Sequence, residues 1–293
     1  MLHTHPHFVK HQPHMLWLEL TNFCNLECKH CYNSSGPNHS LDSSISKSQY
    51  LEILLQAKSL GFESVQFIGG EPIFYPHLQD LVDRAIDCKF SFIEIYSNLT
   101  TIPKWLLEAK YGEVRLATSI YSYIPDTHDE ICERRGSFLR TITSVKKAVA
   151  QGMGIRASFV ELEANVGQYE KTVAFLSDIG VRSVGFDRVR EYGRAQLVEE
   201  PSIDALCGEC PNGNLSIDCN GKVSACIMSK PWSFGDILMD SLSDIFFSDG
   251  RQKFIEQVKS NPVTCCHPTS CHPNSCTPNS CQPVTCRPTC SPR

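Results

Sequence analysis

Residues 15 to about 190 alternate between two hydrophobic periodicities, and this alternation constrains the fold more than any other feature of the chain. MLWLEL (15–20) is a short apolar run of strand type, and SQYLEILLQAKSLG (48–61) has helical spacing with a glycine stop. SVQFIGG then reads as a strand, followed by a helix from about Pro76 to Asp87. SFIEIYSN and a third helix in IPKWLLEAK (102–110) come next, then VRLATSIY and the helix FLRTITSVKKAVAQG ending at Gly152. IRASFVEL, the helix QYEKTVAFLSDIG ending at Gly180 and the strand VRSVGFDRV complete the series. About six such units predict an α/β fold built on a parallel sheet with right-handed crossovers. Six units fall short of a closed eight-fold barrel, so the expected architecture is a partial (β/α)6 TIM-like barrel.

The expected division of the chain is a histidine-rich arm (1–14), the partial barrel (15–200), a small cysteine-rich C-terminal extension (201–261) and a low-complexity tail (262–293). The extension should contain a hairpin around DCNGKV and a helix near LSDIFFSDGRQKFIEQV. The tail repeats Cys-x-Pro-x-(Ser/Thr) and has almost nothing to bury; a proline at every fifth position excludes helix, so it should be extended or disordered unless metal organises it. The histidines at 3, 5, 7, 11 and 14 are read as a solvated arm.

Net charge is −5, which gives no electrostatic reason to expect nucleic acid as a partner. No apolar run reaches membrane-spanning length, and MLHTHPHFVK lacks the hydrophobic core of an export signal, so no membrane association and a cytoplasmic location are expected. In a reducing compartment, the 16 cysteines of a chain this long point to metal rather than to disulfides. Cys24, Cys28 and Cys31 form C-x3-C-x2-C, one ligand short of a closed site. His30 or His39 could complete a partial zinc site there; a cluster with one open iron is the other reading. Cys207, Cys210, Cys219 and Cys226 make a second group, seven more cysteines crowd the tail, and the isolated Cys88 and Cys132 read as small buried hydrophobes.

Ligands of parallel sheets gather at the carboxyl ends of the strands. On that edge the sequence places the cysteine loop, Gly69-Gly70-Glu71-Pro72, Ser97-Asn98, Ser119 with Tyr121, Asn165, and Arg190 with Arg194, one group after each strand. Each alone is explicable as a turn or cap. Their order on one rim is harder to explain that way.

Over roughly residues 14 to 195 the chain resembles the radical S-adenosylmethionine (SAM) enzymes, on the strength of Cys24, Cys28, Cys31 and Tyr32 followed by the GGEP segment at 69–72. The resemblance implies that the three thiolates hold a [4Fe-4S] cluster whose fourth iron binds SAM. Reductive cleavage would then give a 5′-deoxyadenosyl radical that abstracts hydrogen from substrate. It also implies that Glu71 and the Gly69–Gly70 backbone hold the methionine ammonium. Asn98 and Ser119 would meet the ribose or carboxylate and Tyr32 would pack by the cluster and adenine, with Asn165 and Arg190 as further contacts. Tyr121 stands where many relatives have an acid.

The extension resembles the SPASM or shorter twitch region that holds auxiliary clusters, through Cys210, Gly221 and Cys226 and the following Phe234-Gly235-Asp236-Ile237. The usual C-x2-C-x5-C-x3-C run is replaced by the tail repeat, so the remaining ligands would be Cys207 and Cys219, or Cys265, Cys266 and Cys271. The resemblance points to a peptide substrate, matured after ribosomal synthesis, and to a reductase, flavodoxin or ferredoxin as electron donor. A dehydrogenase or epimerase of a sugar or aminocyclitol, and a non-catalytic metal or redox sensor, are the alternatives.

Overall fold

Short apolar runs become strands at the centre of the sheet: Leu16 and Leu18 in β1 (Met15–Glu19) have no exposed surface, and β2 (Ser64–Ile68) is buried on both faces from Val65 to Ile68. β3 (Phe92–Tyr96), β4 (Arg115–Ser119), β5 (Ile155–Glu161) and β6 (Ser183–Arg188) follow, each parallel to the one before. The computed structural model describes residues 12–196, 200–208, 210 and 212–260; the expectations for residues 1–11 and for the tail lie outside these.

Helices α1 (Lys47–Leu60), α2 (Leu78–Asp87), α3 (Pro125–Ile131), α4 (Ser137–Ala150) and α5 (Tyr169–Asp178) supply the crossovers. α1 starts where Ser46 and Gln49 form a capping box and stops at Gly61, whose φ of 99° suits a left-handed cap. The helix expected over 102–110 is instead two 3-10 turns, Lys104–Leu107 and Ala109–Tyr111, broken at the extended Glu108. A segment this short cannot sustain a helix alone. The two turns meet through their rings, Trp105 against Tyr111 edge to face at 4.8 Å, and the Tyr111 hydroxyl donates to Asp83 Oδ1 of α2 at 2.9 Å. α3, which begins at Pro125, has no counterpart in the sequence reading.

From β6 the chain crosses the sheet to β7 (Leu215–Ile217), which pairs in parallel with β1. β8 (Lys222–Ser224) and β9 (Gly235–Asp236) continue antiparallel, giving the order β6-β5-β4-β3-β2-β1-β7-β8-β9 among the described residues. The barrel is therefore open, and the extension adds strands to its sheet. The single helix expected near the end of the extension is two, α6 (Leu242–Phe246) and α7 (Asp249–Ser260), separated where the Ser248 hydroxyl accepts from the Arg251 amide at 3.1 Å.

Candidate active site at the cysteine loop

The cysteine loop leaves the carboxyl end of β1 and is fixed on three sides. Gly70 and Glu71, just past β2, donate their amides to the carbonyls of Thr21 and Phe23 at 2.6 and 2.7 Å. Both glycines are needed for this approach: a Cβ on Gly69 would lie 2.7 Å from the Thr21 carbonyl oxygen, and one on Gly70 would collide with that of Phe23. On a second side, Glu27 and Lys29 donate to the carbonyls of Cys132 and Ile131, at the end of α3. On the third, Arg194 donates its amide to Cys31 O at 2.9 Å and its Nε to Cys28 O at 2.8 Å. Lys230, in the extension, places its ammonium between the Glu19 carboxylate and Asn33 Oδ1, 5.7 Å over the Tyr32 ring.

The loop opens on a cavity of about 340 Å³, within the range of small-molecule sites. Cys24, Cys28, Cys31, Tyr32, Gly69, Gly70, Asn98, Ser119 and Arg190 all line it, so most of the residues selected by strand-end position share one space. The Asn98 amide donates to Asn25 Oδ1 at 2.8 Å and points at Cys24 Sγ at 3.7 Å, and the Ser119 hydroxyl lies 3.0 Å from that of Tyr96. Arg190 pairs with Asp187 at 3.2 Å. Arg156 on β5 grips the buried Glu94 of β3 through Nε and Nη2 at 2.9 and 2.8 Å.

Two expected contacts take another form. Glu71 is buried, and its carboxylate accepts from the amides of Ile73 and Asn98 at 3.1 and 2.7 Å and from the Ser97 hydroxyl. It ties the GGEP turn to the end of β3, and only the glycine backbone faces the cavity; burial raises its pKa to about 7. Asn165 is fully buried: its amide donates to the carbonyls of Tyr121 and Val160 at 2.7 and 2.9 Å, and its Oδ1 accepts from the Leu162 amide at 2.6 Å. With these groups engaged by backbone, it braces the β4 and β5 ends instead of reaching a ligand.

The structure also adds residues the sequence reading passed over. Cys132, read as a buried hydrophobe, lines the cavity with its thiol against Cys28 and 3.4 Å from His128 Nε2. No local pattern signals this, because α3 brings it there. His30 and Arg194 also line the cavity, as do Ile227 and Met228 just past Cys226. His39 turns away to the Ser34 carbonyl at 3.1 Å.

The donor set suits a cluster. Among the described residues, His30 Nδ1, Tyr32 OH and Arg194 Nη2 are buried without a hydrogen-bond partner, and all three residues border the cavity. Burial raises the Cys24 thiol well above its ordinary pKa; contact with Cys132 and burial do the same for Cys28, opposed by the Arg194 charge. Such thiols ionise only beside a cation, which bound iron supplies. Among the described residues no three His, Cys, Asp or Glu side chains converge on a point that could hold one metal ion. A cube makes no such demand, since each of its thiolates binds a different iron.

At the second group, Cys210 and Cys226 hold their sulfurs 3.8 Å apart, with Cys207 close enough to act electrostatically on Cys210. Cys219 is elsewhere. It sits in the β7–β8 turn, where its carbonyl accepts from Ser44 N at 2.8 Å and Ser43 Oγ at 2.9 Å, and the charges acting on it are Asp218, Lys230 and Glu19. The hairpin puts the turn at one end of β8 and Cys226 beyond the other.

A parallel α/β sheet with a three-cysteine loop and a glycine-rich turn at one strand edge defines a class, and comparison with known proteins agrees. The radical SAM superfamily model matches residues 18–185, and the iron–sulfur cluster-binding domain model SPASM matches 207–276. The chain belongs to the radical SAM superfamily and carries a SPASM region; its cofactors are accordingly SAM, a [4Fe-4S] cluster and auxiliary iron–sulfur centres. It is 26% identical over 265 residues to the antilisterial bacteriocin subtilosin biosynthesis protein AlbA of Bacillus subtilis (strain 168), spanning 78% of this chain and 58% of that protein. It is 28% identical over 224 residues to the PqqA peptide cyclase of Gluconobacter oxydans (strain 621H), spanning 70% of this chain and 60% of that one. The chain thus spans less than two thirds of these relatives. The fold matches Streptococcus suis SuiB bound to S-adenosylmethionine with a TM-score of 0.68 at 18% identity, over 83% of this chain and 68% of SuiB; SuiB is also known bound to a precursor peptide, SuiA. No helix among the described residues is long and apolar enough to cross a membrane.

Proposed function

We propose that this chain cleaves SAM reductively and uses the resulting radical to abstract hydrogen from a ribosomally made peptide. In this reading Cys24, Cys28 and Cys31 each ligate one iron of the [4Fe-4S] cluster, and SAM occupies the cavity against the Gly69–Gly70 backbone. Tyr32, Ser119 and Arg190 form its walls, and Asn98 directs its amide at the Cys24 sulfur. Cys210 and Cys226, with Cys207, hold the auxiliary cluster, completed by a cysteine from beyond residue 260. Residues 15–200 act as the catalytic barrel and 201–261 as the auxiliary-cluster region, and a flavodoxin, ferredoxin or reductase supplies the electron.

The observation that carries the reading is the convergence of three thiols, a close-packed glycine pair and three unpartnered buried polar atoms on one cavity. A peptide substrate is supported by the names of the relatives: a bacteriocin biosynthesis protein, a peptide cyclase and a maturation protein for the sporulation killing factor. The test is anaerobic reconstitution with iron and sulfide, then measurement of 5′-deoxyadenosine. Ala at Cys24, Cys28 or Cys31 should reduce its formation to background while far-ultraviolet circular dichroism is unchanged. Near-normal cleavage by any of these variants would overturn the ligand assignment.

A further inference from the structure

Apart from one ligand to the auxiliary cluster, the cysteine–proline repeat is not accounted for by the cavity or its cofactors. From Cys266 to Cys286 a cysteine returns at every fifth residue, each standing two positions before a proline, as in Cys271-His-Pro273 and Cys281-Gln-Pro283. From Cys271 onward a Ser or Thr stands immediately before each cysteine. A cube needs about four protein ligands at most, and Cys210, Cys226 and Cys207 already stand together. The SPASM match ends at residue 276, inside the repeat, leaving Cys281, Cys286 and Cys290 beyond it. Repeated, chemically equivalent thiols are what a series of equivalent modification positions requires.

The place where the repeat departs from the fold is the second observation. In α7, Phe254 and Val258 are buried in an apolar cluster with Tyr192, Cys210 and Ala225, against which Tyr32 and Met228 pack. Tyr32 and Met228 also line the cavity. The helix from which the repeat departs, α7, therefore packs on the same apolar cluster as two residues of the cavity wall. Cys281 follows Ser260 by 21 residues, a length that can bridge up to about 70 Å.

We propose that the repeat is a peptide substrate carried in cis, and that its distal thiols, Cys281, Cys286 and Cys290, become bonded to carbon. The proposal rests on the peptide-maturation reading above. In the step, a carbon of the repeat gives a hydrogen atom to the 5′-deoxyadenosyl radical, which leaves as 5′-deoxyadenosine. A cysteine of the repeat, its thiol proton released to solvent, bonds through sulfur to that carbon, and the one surplus electron passes to the auxiliary cluster. The repeat is oxidised by two electrons and loses two hydrogens per bond, while SAM takes one electron and yields methionine. Tethering gives the substrate an effective concentration in the millimolar range without a dedicated docking surface.

The experiment uses the full chain, reconstituted and incubated anaerobically with SAM and a low-potential reductant. The last lysine is Lys259, so cleavage after lysine releases 260–293 as one fragment. The expected fragment is lighter by two hydrogens for each bond and has one fewer alkylatable thiol per bond, and its rate of formation does not change on tenfold dilution. A rate that falls with dilution would show modification between copies and overturn the cis arrangement. Formation of 5′-deoxyadenosine with an unaltered fragment would overturn the proposal and leave the proposed function standing; no 5′-deoxyadenosine from fully loaded protein would remove both. A readout independent of turnover uses a photo-crosslinker on Cys281 with Cys286→Ala and Cys290→Ala: it should capture cavity-rim residues between 187 and 190 or near Met228. Capture confined to sites remote from the rim counts against the proposal. So does iron lost from Cys281→Ala, Cys286→Ala or Cys290→Ala, which would make those thiols ligands.

Discussion

The amide of Glu71 donates to the carbonyl of Phe23 at 2.7 Å, fastening the turn after β2 to the loop that carries the three cysteines. The contact is possible only because Gly70 has no side chain to meet the same carbonyl. Gly70→Ala should therefore separate turn and loop, costing about 2–3 kcal/mol of stability. Iron incorporated on reconstitution should fall by more than half. Full iron content with unchanged denaturation would show that the close approach is dispensable.

Asn165 tests whether a residue on the rim braces the fold or contacts the ligand. Truncation to Ala leaves the Tyr121 and Val160 carbonyls and the Leu162 amide without their partner, and should cost roughly 3 kcal/mol in urea denaturation. SAM affinity should change by less than about threefold once the fold is populated, because no Asn165 group faces the cavity. A large loss of affinity with unaltered stability would return Asn165 to the ligand.

Lys230 links the extension to the barrel through the buried Glu19. Lys230→Met leaves that carboxylate buried without its counter-charge and should cost about 3 kcal/mol. Adding Glu19→Gln removes the stranded charge and should restore at least half of the loss. If the double variant is no more stable than the single one, the pair is not what holds the two parts together.

His128 gives a pH dependence with a definite sign. Burial lowers its pKa from 6.5 to about 4, and its Nδ1 accepts from the Tyr121 amide at 3.3 Å. Above pH 6.5 the ring is neutral in both folded and unfolded chains. As pH falls from about 6.5 toward 4, the unfolded chain takes up a proton that the folded chain refuses, so stability is lost by up to roughly 3 kcal/mol. His128→Asn keeps an acceptor for Tyr121 and should flatten that part of the profile. A variant with the same slope as the parent would assign the acid sensitivity to another group.

The sequence by itself determined the alternation of strands and helices, the parallel sheet they require, and the strand ends on which the cysteines, the glycine pair and Asn98 fall. These are local properties: periodicity of two or 3.6 residues and the position of a residue along a strand are set within a few neighbours. It was less informative where a segment was short: 102–110 became two 3-10 turns whose rings Trp105 and Tyr111 meet each other, with Tyr111 tied to Asp83 of α2. Only the tertiary structure decided which side chains at the rim turn inward. Glu71 and Asn165 were drawn to backbone groups that burial would otherwise leave unpaired, and those groups belong to other strands and loops. Cys219 was separated from Cys226 by the length of a hairpin strand, while Cys132, a hundred residues from the loop in sequence, was carried against Cys28 by α3. Spacing along the chain gives the identity of the candidate ligands; which of them share a site depends on how distant segments satisfy one another's hydrogen bonds and pack.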